Sequence, residues 1–180
     1  MSRTYFPPKL VLAVGARDHI RGPASARITL VEYADYQCPY CGMANPIVDQ
    51  IRGELADTLR FVYRNFPLTE VHPHAEHAAE IAEAAAVHRK FWEMHDMLYE
   101  NQRALDDQSL AEYASLVGVP SAEIKRALAQ HAYAERVRED FLSGVRSGVN
   151  GTPTFFLNGI RHDGSYDYAS LMGAIAEASR

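Results

Sequence analysis

The sequence predicts an α/β domain broken by an all-helical insert, and three observations carry that reading. A strand–helix–strand pattern spans Ile28 to Phe66, a strand, hairpin and helix return after Gly151, and the stretch between shows helical periodicity with no strand pattern. The intervening helix is long enough to make the first two strands parallel through a right-handed crossover. At 180 residues the chain suits one such domain with a sizeable insertion and can bury a core without a disulfide framework. The predicted division assigns 1–71 and 149–180 to the α/β part and 72–148 to the helical insert.

Residues 1–9 carry two prolines and few apolar side chains, and read as an irregular arm. Leu10–Val14 is a candidate first strand, and Gly15–Arg27, with Gly15, Gly22, Pro23 and Ser25, reads as a turn-rich connection. Ile28–Ala34 is β-branched and aromatic, as a strand favours. Pro39 then opens a helix, because its missing N–H is no loss at the first helical position. Met43, Ile47, Ile51 and Leu55 at four-residue spacing give that helix an apolar face for a sheet. Pro46 denies the Gly42 carbonyl a donor and is expected to kink the helix just past the cysteines. Arg60–Phe66, closed by Pro67, is the next strand.

In the insert, Pro73 opens a helix through Ala86, and Phe91, Trp92, His95 and Leu98 form a second apolar stripe, either core or the lining of a groove. Ser109 with Glu112 matches a capping box, Ser121 after Pro120 marks another start, and Tyr133–Gly144 is a long helix with Val137, Phe141 and Val145 on one face. Thr154–Leu157 is a strand, and Asn158-Gly159 is a hairpin signal that pairs Ile160–Asp163 back onto it. Tyr168, Leu171, Met172 and Ile175 mark a closing amphipathic helix.

The chemistry centres on Cys38-Pro39-Tyr40-Cys41, which holds both cysteines of the chain and opens the helix after the central strand. Unpaired N–H groups and the positive end of the dipole at a helix N-terminus favour a thiolate, lowering such cysteines from ~8.5 toward ~3.5–7.5. Cys38 is then the nucleophile, and Cys41, one turn further in, can attack a mixed disulfide at Cys38 and release the partner. Two other readings stay open, a zinc site and inert packing cysteines. A structural zinc site needs four ligands, and histidines such as His72, His74, His77 or His95 would have to complete it. His74 and His77, at three-residue spacing, would share a helix face.

At this point the pattern resembles the thioredoxin superfamily, and within it the DsbA-like proteins, over about Leu10 to Arg180. The resemblance rests on Glu32 six residues before Cys38, the C-x-x-C opening a helix, the helical insert, and Gly151-Thr152-Pro153 before the Thr154–Leu157 strand. It implies a thioredoxin-like fold with the helical subdomain inserted between the βαβ half and the C-terminal ββα half. It implies that Pro153 is cis and lies beside the cysteines, and that Thr152, Pro153, Pro39 and Tyr40 meet an extended substrate segment by strand addition. Glu32 then acts as a buried acid whose pKa is raised by low dielectric and which exchanges protons with Cys41. Strongly oxidising DsbA enzymes carry histidine where this chain has Tyr40. The Pro-Tyr dipeptide is similar to that of glutaredoxins, at ~−200 to −230 mV against ~−120 mV for DsbA, so a poise near the glutathione pool is expected.

The activity implied is thiol–disulfide exchange with protein or peptide thiols. It needs no bound cofactor and no metal, and glutathione or another thiol reductant is a candidate electron donor. The alternatives are a glutathione-dependent reductase or transferase using Cys38 alone, and a metal-binding or chaperone-like module. The net charge of −5, with no Lys/Arg block, gives no electrostatic footprint for nucleic acid or an anionic membrane. The run Leu10–Val14 is too short for a secretory segment and no transmembrane stretch stands out. With Met1 as the natural start, the expected location is the cytoplasm. The oligomeric state is left open.

Overall fold

A computed structural model describes residues 7–180. Among these residues the fold is α/β, with one five-stranded sheet and seven helices. In chain order they are β1 (His19–Arg21), β2 (Ile28–Ala34), α1 (Pro39–Glu54), β3 (Leu59–Asn65), α2 (Ala75–Val87), α3 (Phe91–Glu100), α4 (Asp107–Leu116), α5 (Ser121–Ala129), α6 (Ala134–Arg146), β4 (Thr154–Leu157), β5 (Ile160–Arg161) and α7 (Tyr168–Ala178). The strand order is β1-β3-β2-β4-β5. β2 pairs parallel with β3, from Ile28 opposite Leu59 to Ala34 opposite Asn65, and antiparallel with β4, from Leu30 opposite Leu157 to Tyr33 opposite Thr154. Asn158 and Gly159 both take positive φ, 46° and 82°, as a two-residue turn between right-twisted strands requires.

Because β2 is central, both of its faces are buried. Alternation sends Ile28, Leu30, Glu32 and Ala34 to one face, where α1, α7 and the helices of the insert cover them in one continuous cluster with Ile51, Ile81, Met94, Leu98 and Leu171. Val31 and Tyr33 point the other way, into a smaller cluster with Val62, Phe66, Val149 and Phe156, against which Leu10, Val14 and Phe141 pack. α6 approaches this second face closely because it carries Gly144, where a Cβ would lie 2.7 Å from the Phe66 ring and 2.9 Å from that of Tyr33.

Several local expectations give way to longer-range pairing. Of the arm expected over residues 1–9, residues 1–6 lie outside the described residues. Leu10–Val14 forms no strand. It crosses the second face as irregular chain, with the Leu12 and Ala13 carbonyls accepting from the buried Arg64 guanidinium. The first strand is instead His19–Arg21, inside the turn-rich connection, because the free edge of β3 accepts it antiparallel. The buried stripe of α1 runs through Cys41, Ala44, Val48 and Ile51, which leaves Met43 at 52% exposure, and the helix continues through Pro46 to Glu54. α4 is capped by Asp106, whose carboxylate accepts from the Gln108 and Ser109 N–H groups, so Ser109 is a donor to the cap and not the cap itself. On α6 Val137 is buried but Val145 is exposed, and β5 ends at Arg161 short of the expected Asp163. Phe91 is core, and Trp92 packs half-buried on it beneath the Arg21 guanidinium, 4.4 Å from the ring centroid.

Candidate active site

The site begins where β2 ends. Asp35, buried, accepts through Oδ1 from the N–H groups of Gln37 (2.7 Å) and Cys38 (3.2 Å). Its Oδ2 accepts from the Leu68 N–H and faces His72 Nδ1, each at 2.8 Å. One carboxylate thus fixes the loop leading to the cysteines and ties it to the β3–α2 connection. The Gln37 side chain adds a second tie, accepting from the His74 main-chain N–H at 2.7 Å. The insert supplies a third. Gln102, between α3 and α4, donates through Nε2 to the carbonyls of Tyr36 (2.8 Å) and Cys38 (2.9 Å), and only a glycine at position 42 leaves room for its amide.

Cys38 is the N-cap of α1 with Pro39 as its first helical residue. As a thiol it donates to the Thr152 carbonyl at 3.5 Å. The Thr152–Pro153 peptide bond is cis, and the segment is braced by the Thr154 hydroxyl, which donates to the Gly151 carbonyl at 2.7 Å. Thr152 Oγ1 is a buried hydroxyl with no hydrogen-bond partner among the described residues. The Cys38 pKa is lowered to about 5, chiefly by the hydrogen bond from the Cys41 thiol, and further by Thr152 and the N–H groups of Cys41 and Tyr40. Cys41 is held well above an ordinary thiol, first by burial, then by giving its proton to Cys38, and then by the carboxylate of Glu32. The two sulfurs are pushed apart by one shared hydrogen bond and by different depths.

Glu32 lies beneath them on β2, 2% exposed, and its Oε1 has no hydrogen-bond partner among the described residues. Burial raises its pKa to about 8, with smaller contributions from Asp49 and Cys38. Below it lies a bed of buried rings: Tyr36 Oη meets His95 Nδ1 at 3.1 Å, and the hydroxyls of Tyr63 and Tyr99 meet at 3.2 Å. Burial keeps all of them neutral, holding the tyrosines above their ordinary pKa and His95 below its own. A neutral bed offers no charge to compensate a carboxylate or thiolate, which is why Glu32 and Cys41 both resist ionisation.

Outside this buried stack, Pro39 is exposed and Tyr40 and Met43 are 57% and 52% exposed. Beside them runs a groove of about 830 Å³ lined by Pro39, Met43, Tyr99 and Gln102 among others. The structure therefore brings together Cys38, Cys41, Glu32 and Thr152 of the sequence-predicted set, with Pro39 and Tyr40 at the rim and Pro153 in the cis bond beside Cys38. It separates the histidines that the sequence groups. His72 and His74 hold the site loop, whereas His77 turns to Asp107 at 2.6 Å. Asp35 and Gln102 were missed. Asp35 had a legible signal, an Asx residue three before a helix N-cap, while Gln102 had none.

The family model described as thioredoxin matches residues 16–177. The chain belongs to the thioredoxin family. Its fold is the DsbA-like form: oxidised BdbD from Bacillus subtilis matches with a TM-score of 0.83 over 97% of this chain and 96% of that one, at 22% identity. A thioredoxin-like oxidoreductase from Silicibacter pomeroyi matches at 0.80 over 91% and 93%, with 24% identity, and alpha-DsbA1 from Wolbachia pipientis at 0.80 over 94% of each, with 17%. Such identities show a shared fold. Among curated proteins, the Na(+)/H(+) antiporter NhaA 3 of Salinispora tropica is 45% identical over 162 residues, which is 90% of this chain and 25% of that protein. NhaA of Herminiimonas arsenicoxydans is 44% identical over 163 residues, covering 91% and 26%. The chain spans about a quarter of the length of these relatives. Among the described residues, no helix is long and apolar enough to cross a membrane.

Proposed function

We propose that this chain is a thiol–disulfide oxidoreductase acting on protein or peptide disulfides through Cys38 and Cys41. The observation that carries this reading is the asymmetry of the two sulfurs: Cys38 at a helix mouth with its pKa lowered to about 5, and Cys41 buried behind it with its pKa raised. The Cys38 thiolate attacks one sulfur of a substrate disulfide, forming a mixed disulfide and releasing the other sulfur as a thiolate. Cys41 then gives its proton to the ionised Glu32 carboxylate and attacks Cys38, forming the Cys38–Cys41 disulfide and releasing the second substrate thiol. In the reverse direction Glu32 returns the proton. A carboxyl with a pKa of about 8 exchanges protons in both directions near neutral pH. Main-chain groups beside Thr152 and Pro153, with exposed Pro39 and Tyr40, hold the substrate as an added strand over Cys38.

Tyr40 adds no positive charge beside Cys38, so thiolate stabilisation rests on hydrogen bonds and the helix N-terminus. The resulting pKa of about 5 falls between ~7 for thioredoxin and ~3.5 for DsbA, which supports an intermediate potential. Glutathione or another small thiol in a reducing compartment such as the cytoplasm then serves as electron donor, and no bound cofactor takes part. The test is trapping. With a disulfide-containing peptide, Cys41→Ser accumulates a mixed disulfide at Cys38 and Cys38→Ser forms none. Full multiple turnover by Cys41→Ser with glutathione would overturn the two-cysteine mechanism.

A further inference from the structure

Two histidines and a buried glutamate meet outside the cysteine site, on the surface of the helical segment. His77 and Glu80, three residues apart on α2, share a helix face. His131 reaches them from the turn between α5 and α6, at a φ of 47° that asparagine or glycine adopts more readily. One donor atom from each of the three lies within 4.8 Å of the others. Glu80 is 1% exposed, with Oε1 facing His131 Nδ1 at 3.0 Å and Oε2 accepting from the Tyr133 N–H at 3.3 Å. His77 Nδ1 faces Asp107 Oδ1 at 2.6 Å, which directs the other ring nitrogen away from Asp107.

We propose that His77, Glu80 and His131 form a binding site for a divalent cation of the zinc class, with water in the fourth position and Asp107 orienting His77. Two imidazoles and one carboxylate are a donor set that zinc accepts with an open position, and a carboxylate behind a ligating histidine fixes its tautomer. Tetrahedral ligands at ~2.0–2.1 Å stand about 3.3 Å apart; His131 Nδ1 and Glu80 Oε1 are already 3.0 Å apart, and with all three donors within 4.8 Å of one another small side-chain adjustments complete the set. His131, with its side chain 59% exposed, is free to rotate for this, while Glu80 provides the fixed, desolvated anchor. An ordinary His131–Glu80 ion pair explains two of the three groups. His77 is paired in its turn with Asp107, and what the two pairs leave to account for is their convergence, with the His77 and His131 ring centroids 5.5 Å apart. A bound ion would cross-link α2, the start of α4 and the α5–α6 turn.

The test is titration of the metal-free protein with zinc chloride by calorimetry, and with cobalt chloride by absorbance, in a Cys38→Ser/Cys41→Ser background that removes the competing thiols. The expected result is saturable one-to-one micromolar binding, cobalt d–d bands without sulfur charge-transfer absorption, and a raised Tm. His77→Gln and His131→Asn should each weaken binding about tenfold or more, with unchanged far-UV circular dichroism. His131→Asn suits the positive φ, so a loss there cannot be assigned to backbone strain. Absence of binding up to millimolar metal, binding only when the cysteines are present, or binding indifferent to both histidine substitutions overturns the proposal.

Discussion

Two charged groups lie buried on opposite faces of the same pair of central strands, and their surroundings treat them in opposite ways. Arg64 on β3 is completely enclosed and completely paired. It donates to both Asp18 oxygens at 2.8 and 3.1 Å, to the Leu12 and Ala13 carbonyls and to Tyr33 Oη. Glu32 on β2 is as deeply enclosed, yet Oε1 has no hydrogen-bond partner among the described residues. A satisfied buried charge keeps its ionisation and fixes the chain around it, here the segment from Leu10 to Asp18. An unsatisfied one moves its proton equilibrium into the neutral range, where it can serve a reaction. The difference is set by what covers each face: irregular chain with free carbonyls over Arg64, neutral rings and a helix over Glu32.

The largest effect should come from breaking the paired side. Arg64→Met strands Asp18 without its guanidinium and should destabilise the fold by about 3–5 kcal/mol in denaturant unfolding, while the Cys38 thiolate titration stays in place. If stability is unchanged, Arg64 is not the anchor of the N-terminal segment.

Glu32→Gln should do the reverse, slowing attack by Cys41 without destabilising the fold. Stopped-flow traces should show release of mixed disulfides reduced ~10²-fold and their formation nearly unchanged. Equal slowing of both steps would remove Glu32 from the proton transfer. The same variant carries a pH signature. At pH values well below 4.5 Glu32 is protonated in folded and unfolded chains alike. Between 4.5 and about 8 only the folded chain holds the proton, so wild-type stability falls as pH rises through this window, by on the order of a few kcal/mol in total. Cys38 has the opposite sign, since its folded pKa is lowered from 9.0 to about 5: its stabilisation is complete above 9 and is lost as pH falls through 5. The quantity to measure is therefore the difference between wild type and Glu32→Gln, made in a Cys38→Ser/Cys41→Ser background so that the cysteine titrations are removed.

A smaller effect separates the two sulfurs. Cys41→Ala removes the largest hydrogen bond to the Cys38 sulfur and should raise its pKa by on the order of one unit or more, read from the pH dependence of alkylation. The smallest is Thr152→Val, which removes a weaker donor and should raise the same pKa by less than Cys41→Ala does. The reverse ranking would assign the stabilisation of the thiolate to Thr152.

Much of the architecture was legible because it depends on short-range chemistry. The β-branched run Ile28–Ala34, Pro39 opening α1, and Asn158-Gly159 at positive φ are local demands that the tertiary structure meets unchanged. The C-x-x-C marks the site for the same reason, since helix-terminal geometry and the residues that tolerate it are encoded within a few positions, whereas the Thr-Pro before β4 was tied to the site by the family resemblance. What was misread depends on partners far away. Leu10–Val14 has the composition of a strand, but it bonds the edge of the β4–β5 hairpin only through Leu10 and then turns its carbonyls to Arg64. His19–Arg21 lacks that composition and pairs because β3 has an edge to fill. Met43 continues a four-residue spacing, yet α1 is rotated so that Cys41 and Ala44 face the sheet.

The sequence by itself determined which residues can do chemistry here: two cysteines at a helix start, a glutamate on a central strand, a proline before the last hairpin. Only the tertiary structure decided what surrounds those groups. Cys38, placed by its helix start and bonded by Cys41 three residues on, also meets Thr152 from the far end of the chain, with Gln102 of the insert holding its carbonyl. Glu32 keeps its proton to about pH 8 because four neutral rings, drawn from β3, α3 and the loop after β2, lie in the same buried layer. Desolvation and convergence are sums over neighbours that no sequence window contains.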